Sequence, residues 1–191
     1  MPNLYIIAGC NGAGKTTASY TVLPEMLNCK EFVNADEIAK GISPFQPEKA
    51  AIDAGKIMLT RINELIKSQV DFSFETTLAP KYFVTLVNEA QQKGYFVTLV
   101  FFWLNNVELA IQRVQMRVSE GGHNIPEETI RRRYKSGIIN LTKKYIPICN
   151  YWIIINNSEG PFNVVAEGLK NNEIDIKDSA IWNKIKAQSN E

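Results

Sequence analysis

Residues Gly9-Cys10-Asn11-Gly12-Ala13-Gly14-Lys15-Thr16 follow directly on the apolar run Leu4-Tyr5-Ile6-Ile7-Ala8. The spacing is G-x-x-x-x-G-K-T, the Walker A pattern, and its place after a strand predicts a P-loop that holds a nucleoside polyphosphate. Glycines adopt backbone angles that other residues resist, so successive N–H groups can curl around a phosphate. The helix that follows directs its positive end at the same anion. Lys15 brings a compact charge to the outer phosphates, and the Thr16 hydroxyl can ligate the accompanying magnesium. Gly9, Asn11, Gly12, Ala13, Gly14, Lys15, Thr16 and Thr17 are therefore the expected nucleotide-binding stretch.

A chain of 191 residues, 45% hydrophobic and 21% charged, suits one globular domain with a substantial core. Lysine and arginine number 21 against 20 aspartates and glutamates, so no global field favours a polyanion and nucleic acid gains no support as a partner. The three cysteines, Cys10, Cys29 and Cys149, are odd in number and lack metal-site spacing. That fits a reducing cytoplasm, with Cys10 a small filler in the loop. The chain enters a strand without a basic leader, and no apolar run approaches a membrane span. A cytoplasmic protein without membrane contact is the expectation.

Beyond the loop, β-rich apolar runs alternate with helical patterns, which predicts an α/β fold with a parallel sheet covered on both faces. Strands are expected at 4–8, 31–34, 71–74, 96–104 and 151–155. Ala50, Ala54, Met58, Ile62 and Leu65 recur at helical steps, so one helix runs through them with a single apolar face. Further helices are expected from Pro80 toward Gly94, after Asn105-Asn106, and from Pro126 with Glu127 and Glu128 in its first turn. The segment 172–191 reads as a peripheral helix whose Ile174, Ile176, Ile181, Trp182 and Ile185 are available to cover the body.

Open parallel sheets bind ligands beyond the carboxyl ends of their strands. Asp36 stands at that rim and suits a general base for an acceptor hydroxyl, or alternatively a helix N-cap. Glu75 ends a buried strand and requires a partner there: magnesium, its water, Lys15 or an arginine. Thr76 and Thr77 either bond a substrate or cap the next helix. Asn157, within Asn156-Asn157-Ser158, either reads an adenine edge or belongs to a turn.

The basic segment 113–135 forms two helical stretches hinged at Gly121-Gly122, which predicts a lid closing guanidinium groups over phosphates. Arg113 and Arg117 share one helical face. Glu127 and Glu128 stand four residues before Arg131 and Arg132, where surface pairs form, whereas Arg133 has Thr129 at that spacing. His123 is expected to fix the lid turn by hydrogen bonding.

Taken together, residues 9–17, Asn34-Ala35-Asp36, Phe74-Glu75-Thr76-Thr77 and the stretch from Gly121-Gly122-His123 to Arg132-Arg133-Tyr134 resemble the zeta-toxin-like family of P-loop kinases. The likeness runs in order through roughly the first 158 residues. It implies a nucleoside-monophosphate-kinase-like core with five parallel strands in the order 2-3-1-4-5 and a helical lid, as one kinase domain over 1–191. It also implies transfer of phosphate from ATP, with Mg2+, to the 3′-hydroxyl of a UDP-linked amino sugar. Asp36 then matches the catalytic base, Lys15 and Thr16 the phosphate and metal contacts, and Glu75 a substrate-binding acid or second metal contact. Arg117 with Arg132 or Arg133 falls among the transition-state arginines, and a small antitoxin protein is a possible partner. Outside this class stand a nucleotide-hydrolysing regulatory ATPase and kinases of other acceptors, such as a nucleotide, an antibiotic or a nucleic-acid end. The GTPase base reader N-K-x-D is absent from the sequence.

Overall fold

The computed structural model describes residues 1–122 and 124–190, without the side chains of Val22 and Met26. Strands β1 (Asn3–Gly9), β2 (Phe32–Val33), β3 (Phe72–Thr76), β4 (Phe96–Trp103), β5 (Tyr151–Asn156), β6 (Asn163–Leu169) and β7 (Asp175–Ile176) form one sheet. Their order is β2-β3-β1-β4-β5-β6-β7. The first five are parallel in the expected order 2-3-1-4-5, while β6 and β7 add an antiparallel extension. The sheet thus has seven strands, not five.

Two features hid β6 from the sequence. Its register against β5 shifts between Ile154 and Ile155, which breaks the alternation that marks a strand. It also carries Gly168, where a Cβ would lie 3.0 Å from the Trp152 ring. A glycine weakens the strand signal yet is what lets the tryptophan lie across the backbone.

Helices α1 (Lys15–Thr21), α2 (Ala35–Ile42), α3 (Ala51–Ser68), α4 (Tyr82–Gln92), α5 (Val107–Ser119), α6 (Glu127–Asn140) and α7 (Ser179–Gln188) cover the sheet. One face buries Leu4, Ile6, Phe72, Phe74, Val97 and Leu99 against Met58, Ile62 and Leu65 of α3 and Leu86 and Val87 of α4. The other buries Ile7, Val100 and Phe102 against Ala18 of α1 and Ala110, Ile111 and Val114 of α5. Burial on both faces explains why β1 and β4 read as continuous apolar runs.

The C-terminal segment departs from expectation. It contributes β7 before its helix, which starts at Ser179 because the Asp178 side chain accepts from Ile181 N at 2.9 Å. Ile174 and Ile176 remain 41% exposed, whereas Trp182 and Ile185 are buried. Trp182 stacks on Trp152, with ring centroids 5.9 Å apart. Among the described residues no helix is long and apolar enough to cross a membrane.

Candidate active site

The phosphate loop leaves the carboxyl end of β1, which lies between β3 and β4 where the chain crosses from one half of the sheet to the other. Gly9, Gly12 and Gly14 all have positive φ. A side chain at Gly9 would also strike its neighbour, since a Cβ there would stand 2.4 Å from the Phe102 carbonyl oxygen. At Gly14 the obstacle is the Asn157 amide, 2.5 Å from such a Cβ. That amide donates to the Ala13 carbonyl at 2.8 Å, so Asn157 braces the loop from β5, with its nitrogen turned onto the backbone of the loop itself. Cys10 is buried, and burial pushes its thiol up to about 11 against the opposing pull of Lys15 and Arg113. The filler role holds: a protonated, enclosed thiol is inert.

Glu75, at the end of β3, is the polar centre of the site. Its Oε1 stands 3.4 Å from Lys15 Nζ, and its Oε2 accepts from Thr16 Oγ1 at 2.7 Å and from Asn34 Nδ2 at 2.9 Å. Of the protein partners anticipated for it, Lys15 stands beside it, joined by a hydroxyl and an amide. Lys15, only 5% exposed, also donates to the Cys10 carbonyl at 2.9 Å. The buried cation and anion therefore satisfy each other with added hydrogen bonds, the condition under which such a pair is tolerated.

The helix cap assigned as an alternative to Asp36 belongs to Asn34. Its Oδ1 accepts from Asp36 N at 2.8 Å and Glu37 N at 3.4 Å. Asp36 consequently sits in the first turn of α2 with its carboxylate released from capping, beside the helix's positive end. Asn34 is the residue that sequence reasoning missed, although N-cap chemistry before a helix was a readable signal.

Thr76 and Thr77 fold the chain back after β3. Their hydroxyl oxygens accept from Leu78 N at 3.1 Å and Ala79 N at 3.4 Å. Leu78 is fully buried in the left-handed region, with φ of 57°. Such strain persists only when surroundings hold it. Here Asn140 of α6 donates to the Leu78 and Ala79 carbonyls at 2.7 and 3.3 Å. Asn140 is a second residue the sequence did not reveal.

Helices α5 and α6 bring the arginines to the rim. Arg133 Nη1 donates to Asn11 Oδ1 at 3.2 Å, joining α6 to the phosphate loop. Burial lowers the Arg133 guanidinium from its ordinary value, Asp36 opposes that shift, and Arg132 adds to it. Arg132 is exposed, and among the described residues the pair with Glu128 allowed by spacing is not formed. Arg131 does pair with Glu127, at 2.7 Å, and with Glu108 at 2.8 Å. Arg113 donates to the Ser158 carbonyl at 2.9 Å. Arg117 closes the last turn of α5, with Gly122 N donating to its carbonyl at 2.8 Å. His123, expected to fix the turn, lies outside the described residues.

Of these arginines Arg133 lines a cleft of about 360 Å³ beside the phosphate loop, and Arg113, Arg117, Arg131 and Arg132 do not. Asn11, Lys15, Asn34, Asp36, Glu75, Thr76, Thr77 and Arg133 line its polar end. Among the described residues no three His, Cys, Asp or Glu side chains cluster as a metal site. Thr16 and Glu75, with oxygens 2.7 Å apart, are nonetheless the hard donors that suit Mg2+, an ion that takes few protein ligands and completes its shell with phosphates and water.

A family model described as Zeta toxin matches residues 1–146. An uncharacterized protein of Haemophilus influenzae is 32% identical over 127 residues, covering 66% of this chain and 88% of that one. The AvrRxo1-ORF1:AvrRxo1-ORF2 complex, solved with sulphate ions, matches with a TM-score of 0.80 at 16% identity over 98% of this chain. This chain spans 64% of that protein's length. A structure of the PezAT chromosomal toxin-antitoxin system of Streptococcus pneumoniae matches with a TM-score of 0.67 at 16% identity, over all of this chain and 85% of that one. The fold is that of P-loop kinases.

Proposed function

This chain belongs to the zeta toxin family, and from that premise we propose that it is an ATP-dependent phosphotransferase acting on a hydroxyl of a small acceptor. One observation carries the reading: a single cleft gathers the phosphate-loop Lys15, the uncapped Asp36 and the lid Arg133. Asp36 takes the proton from the acceptor hydroxyl as its oxygen bonds to the γ-phosphorus and the bond to the β-phosphate oxygen breaks. Lys15 and the loop N–H groups hold the phosphates. Arg133, with Arg117 from the same lid, offsets the charge that spreads over the transferring group. Thr16 and Glu75 are the residues that would hold Mg2+, which when bound would supply electrophilic neutralisation of the phosphate oxygens. Thr76 and Thr77 bind the acceptor.

A UDP-linked amino sugar is the acceptor that the sequence resemblance implies, and a small antitoxin covering the cleft belongs to the same reading. Incubation with γ-labelled ATP and magnesium tests the activity. Label passing to an organic acceptor supports a kinase, whereas release of free phosphate alone, stimulated by a macromolecule, favours a regulatory ATPase.

A further inference from the structure

Tyr134 follows Arg133 on α6 and has no part in the proposed transfer, yet its hydroxyl lies in a chain of hydrogen bonds that can run in one direction only. Trp103 Nε1 donates to Gln188 Oε1 at 3.2 Å, Gln188 Nε2 donates to the Tyr134 hydroxyl at 3.1 Å, and that hydroxyl donates to the Leu104 carbonyl at 2.8 Å. An indole nitrogen only donates and a carbonyl only accepts, so the two ends fix the bond between them. Burial pushes the Tyr134 phenol above its ordinary value, which preserves the hydrogen that the last bond needs.

Both ends of the chain belong to one stretch of backbone. Trp103 ends β4 and Leu104 follows it, while the Trp103 carbonyl accepts from the backbone of Asn157, the residue that braces the phosphate loop. Gln188 closes α7, which is pinned to the body by the buried Trp182 and Ile185, with Trp182 stacked on Trp152. From the same helix Lys184 Nζ lies over the Trp103 ring, 5.7 Å from its centroid. All of α7 stands beyond the residues 1–146 that the family model matches.

Successive side chains on a helix are about 100° apart, so a tie at Tyr134 sets the rotation of α6 and decides which of Arg132 and Arg133 turns toward the cleft. Gly137 and Asn140 fasten the other half of the helix on the turn after β3. Tyr134 is the tie beside the arginines. We propose that Gln188 is a positioning residue: through the Tyr134 hydroxyl it holds α6 in the rotation that turns Arg133 toward the phosphate loop. The proposal rests on the kinase reading, in which Arg133 faces the transferring group.

Parent, Gln188→Leu, Tyr134→Phe and the double variant are compared for single-turnover loss of label from γ-labelled ATP. Magnesium is present, with UDP-N-acetylglucosamine as added acceptor and water as the default one, and calorimetry records ATP affinity. Each single substitution should slow the loss of label about tenfold and leave ATP affinity within about twofold. The double variant should be no slower than either, because both changes remove the same bond. Rates are taken well below every melting temperature. Tyr134→Phe keeps the ring, which packs against both apolar layers, and carries the test where Gln188→Leu melts too low. Parent rates in both variants, with only the melting temperature reduced, overturn the proposal and leave the kinase standing. So does additive slowing in the double variant, or a slowing that follows lost ATP affinity. A parent chain that binds ATP and releases no label brings down the kinase reading, and the role of Gln188 with it.

Discussion

Asn34 donates a side-chain hydrogen to Glu75 at 2.9 Å while its amide oxygen accepts from the backbone of Asp36 at 2.8 Å. One buried amide therefore ties the acid that contacts Thr16 and Lys15 to the helix turn that carries Asp36. Asn34→Ser retains a capping oxygen and drops the bond to Glu75, so thermal stability should stay near the parent while the transfer rate falls. Asn34→Ala loses both contacts and should cost about 1–2 kcal/mol in unfolding free energy. If Asn34→Ser transfers phosphate at the parent rate, the amide is merely a cap.

Asp36 has no capping duty, so its substitution isolates chemistry from folding. Asp36→Asn should bind ATP with parent affinity and lose transfer by about 10²–10⁴-fold. Calorimetry and initial rates on the same preparation check both halves. Persistence of transfer at the parent rate would remove Asp36 as the base.

The proposed phosphate contact of Lys15 and its pairing with Glu75 are separated by a paired substitution. Lys15→Ala removes the charge proposed to hold the phosphates and also leaves Glu75 without its ion partner. Both nucleotide affinity and melting temperature should fall. Adding Glu75→Gln relieves the unpaired carboxylate, so the double variant should regain stability relative to Lys15→Ala but not nucleotide affinity. Recovery of affinity in the double variant would mean that Lys15 acts only by neutralising Glu75.

The polar centre shows what the sequence holds and what it withholds. Lys15, Asp36 and Glu75 were legible because each is marked locally, by loop spacing or by a strand end. The contacts that join them were not, since Thr16 and Asn34 reach Glu75 across 59 and 41 residues. Only strand order sets such distances. The parallel strands were readable from apolar runs, but β6, bulged and carrying Glu167 and Gly168, lacked the alternation that identifies a strand. The arginines of α6 were legible as a basic cluster; which of Arg132 and Arg133 enters the cleft depends on how α6 is rotated, and that is set by packing.

Alkaline pH should destabilise the chain through its enclosed thiols. Burial raises Cys10 from 9.0 to about 11 and Cys149 to about 12, and raises Cys29 as well. Above the ordinary thiol value the unfolded chain loses these protons while the folded chain keeps them. The unfolded state then binds fewer protons, so stability falls with rising pH. The contribution is whole below about pH 9 and declines toward pH 11 and beyond. Urea midpoints measured from pH 8 to pH 11 should decrease, with a shallower slope in Cys10→Ala. Tyr145 and Tyr151, also raised by burial, keep the slope from vanishing. An identical slope in Cys10→Ala would mean that the thiol ionises as freely in the fold as outside it.

Asn140 offers the sharpest division between the two halves of the site. It is 5% exposed on α6, the helix that also carries Arg133, and its amide holds the carbonyls of Leu78 and Ala79. Gly137, one turn earlier, permits the approach, since a Cβ there would lie 2.6 Å from the Thr77 carbonyl oxygen. Helix α6 is thus anchored on the turn that follows Thr76 and Thr77, at Leu78, which lies 62 residues from Asn140 in sequence. Asn140→Leu keeps the branched shape and removes the donor, which leaves a buried carbonyl unsatisfied at a cost of about 1–3 kcal/mol. The left-handed turn at Leu78 then loses its restraint. Because Asn140 touches nothing in the phosphate loop, ATP affinity should hold while the acceptor KM rises and kcat falls through displacement of Arg133. A parallel loss of ATP affinity would show that α6 anchors the whole cleft, and an unchanged acceptor KM would show that the turn after β3 keeps its shape unaided.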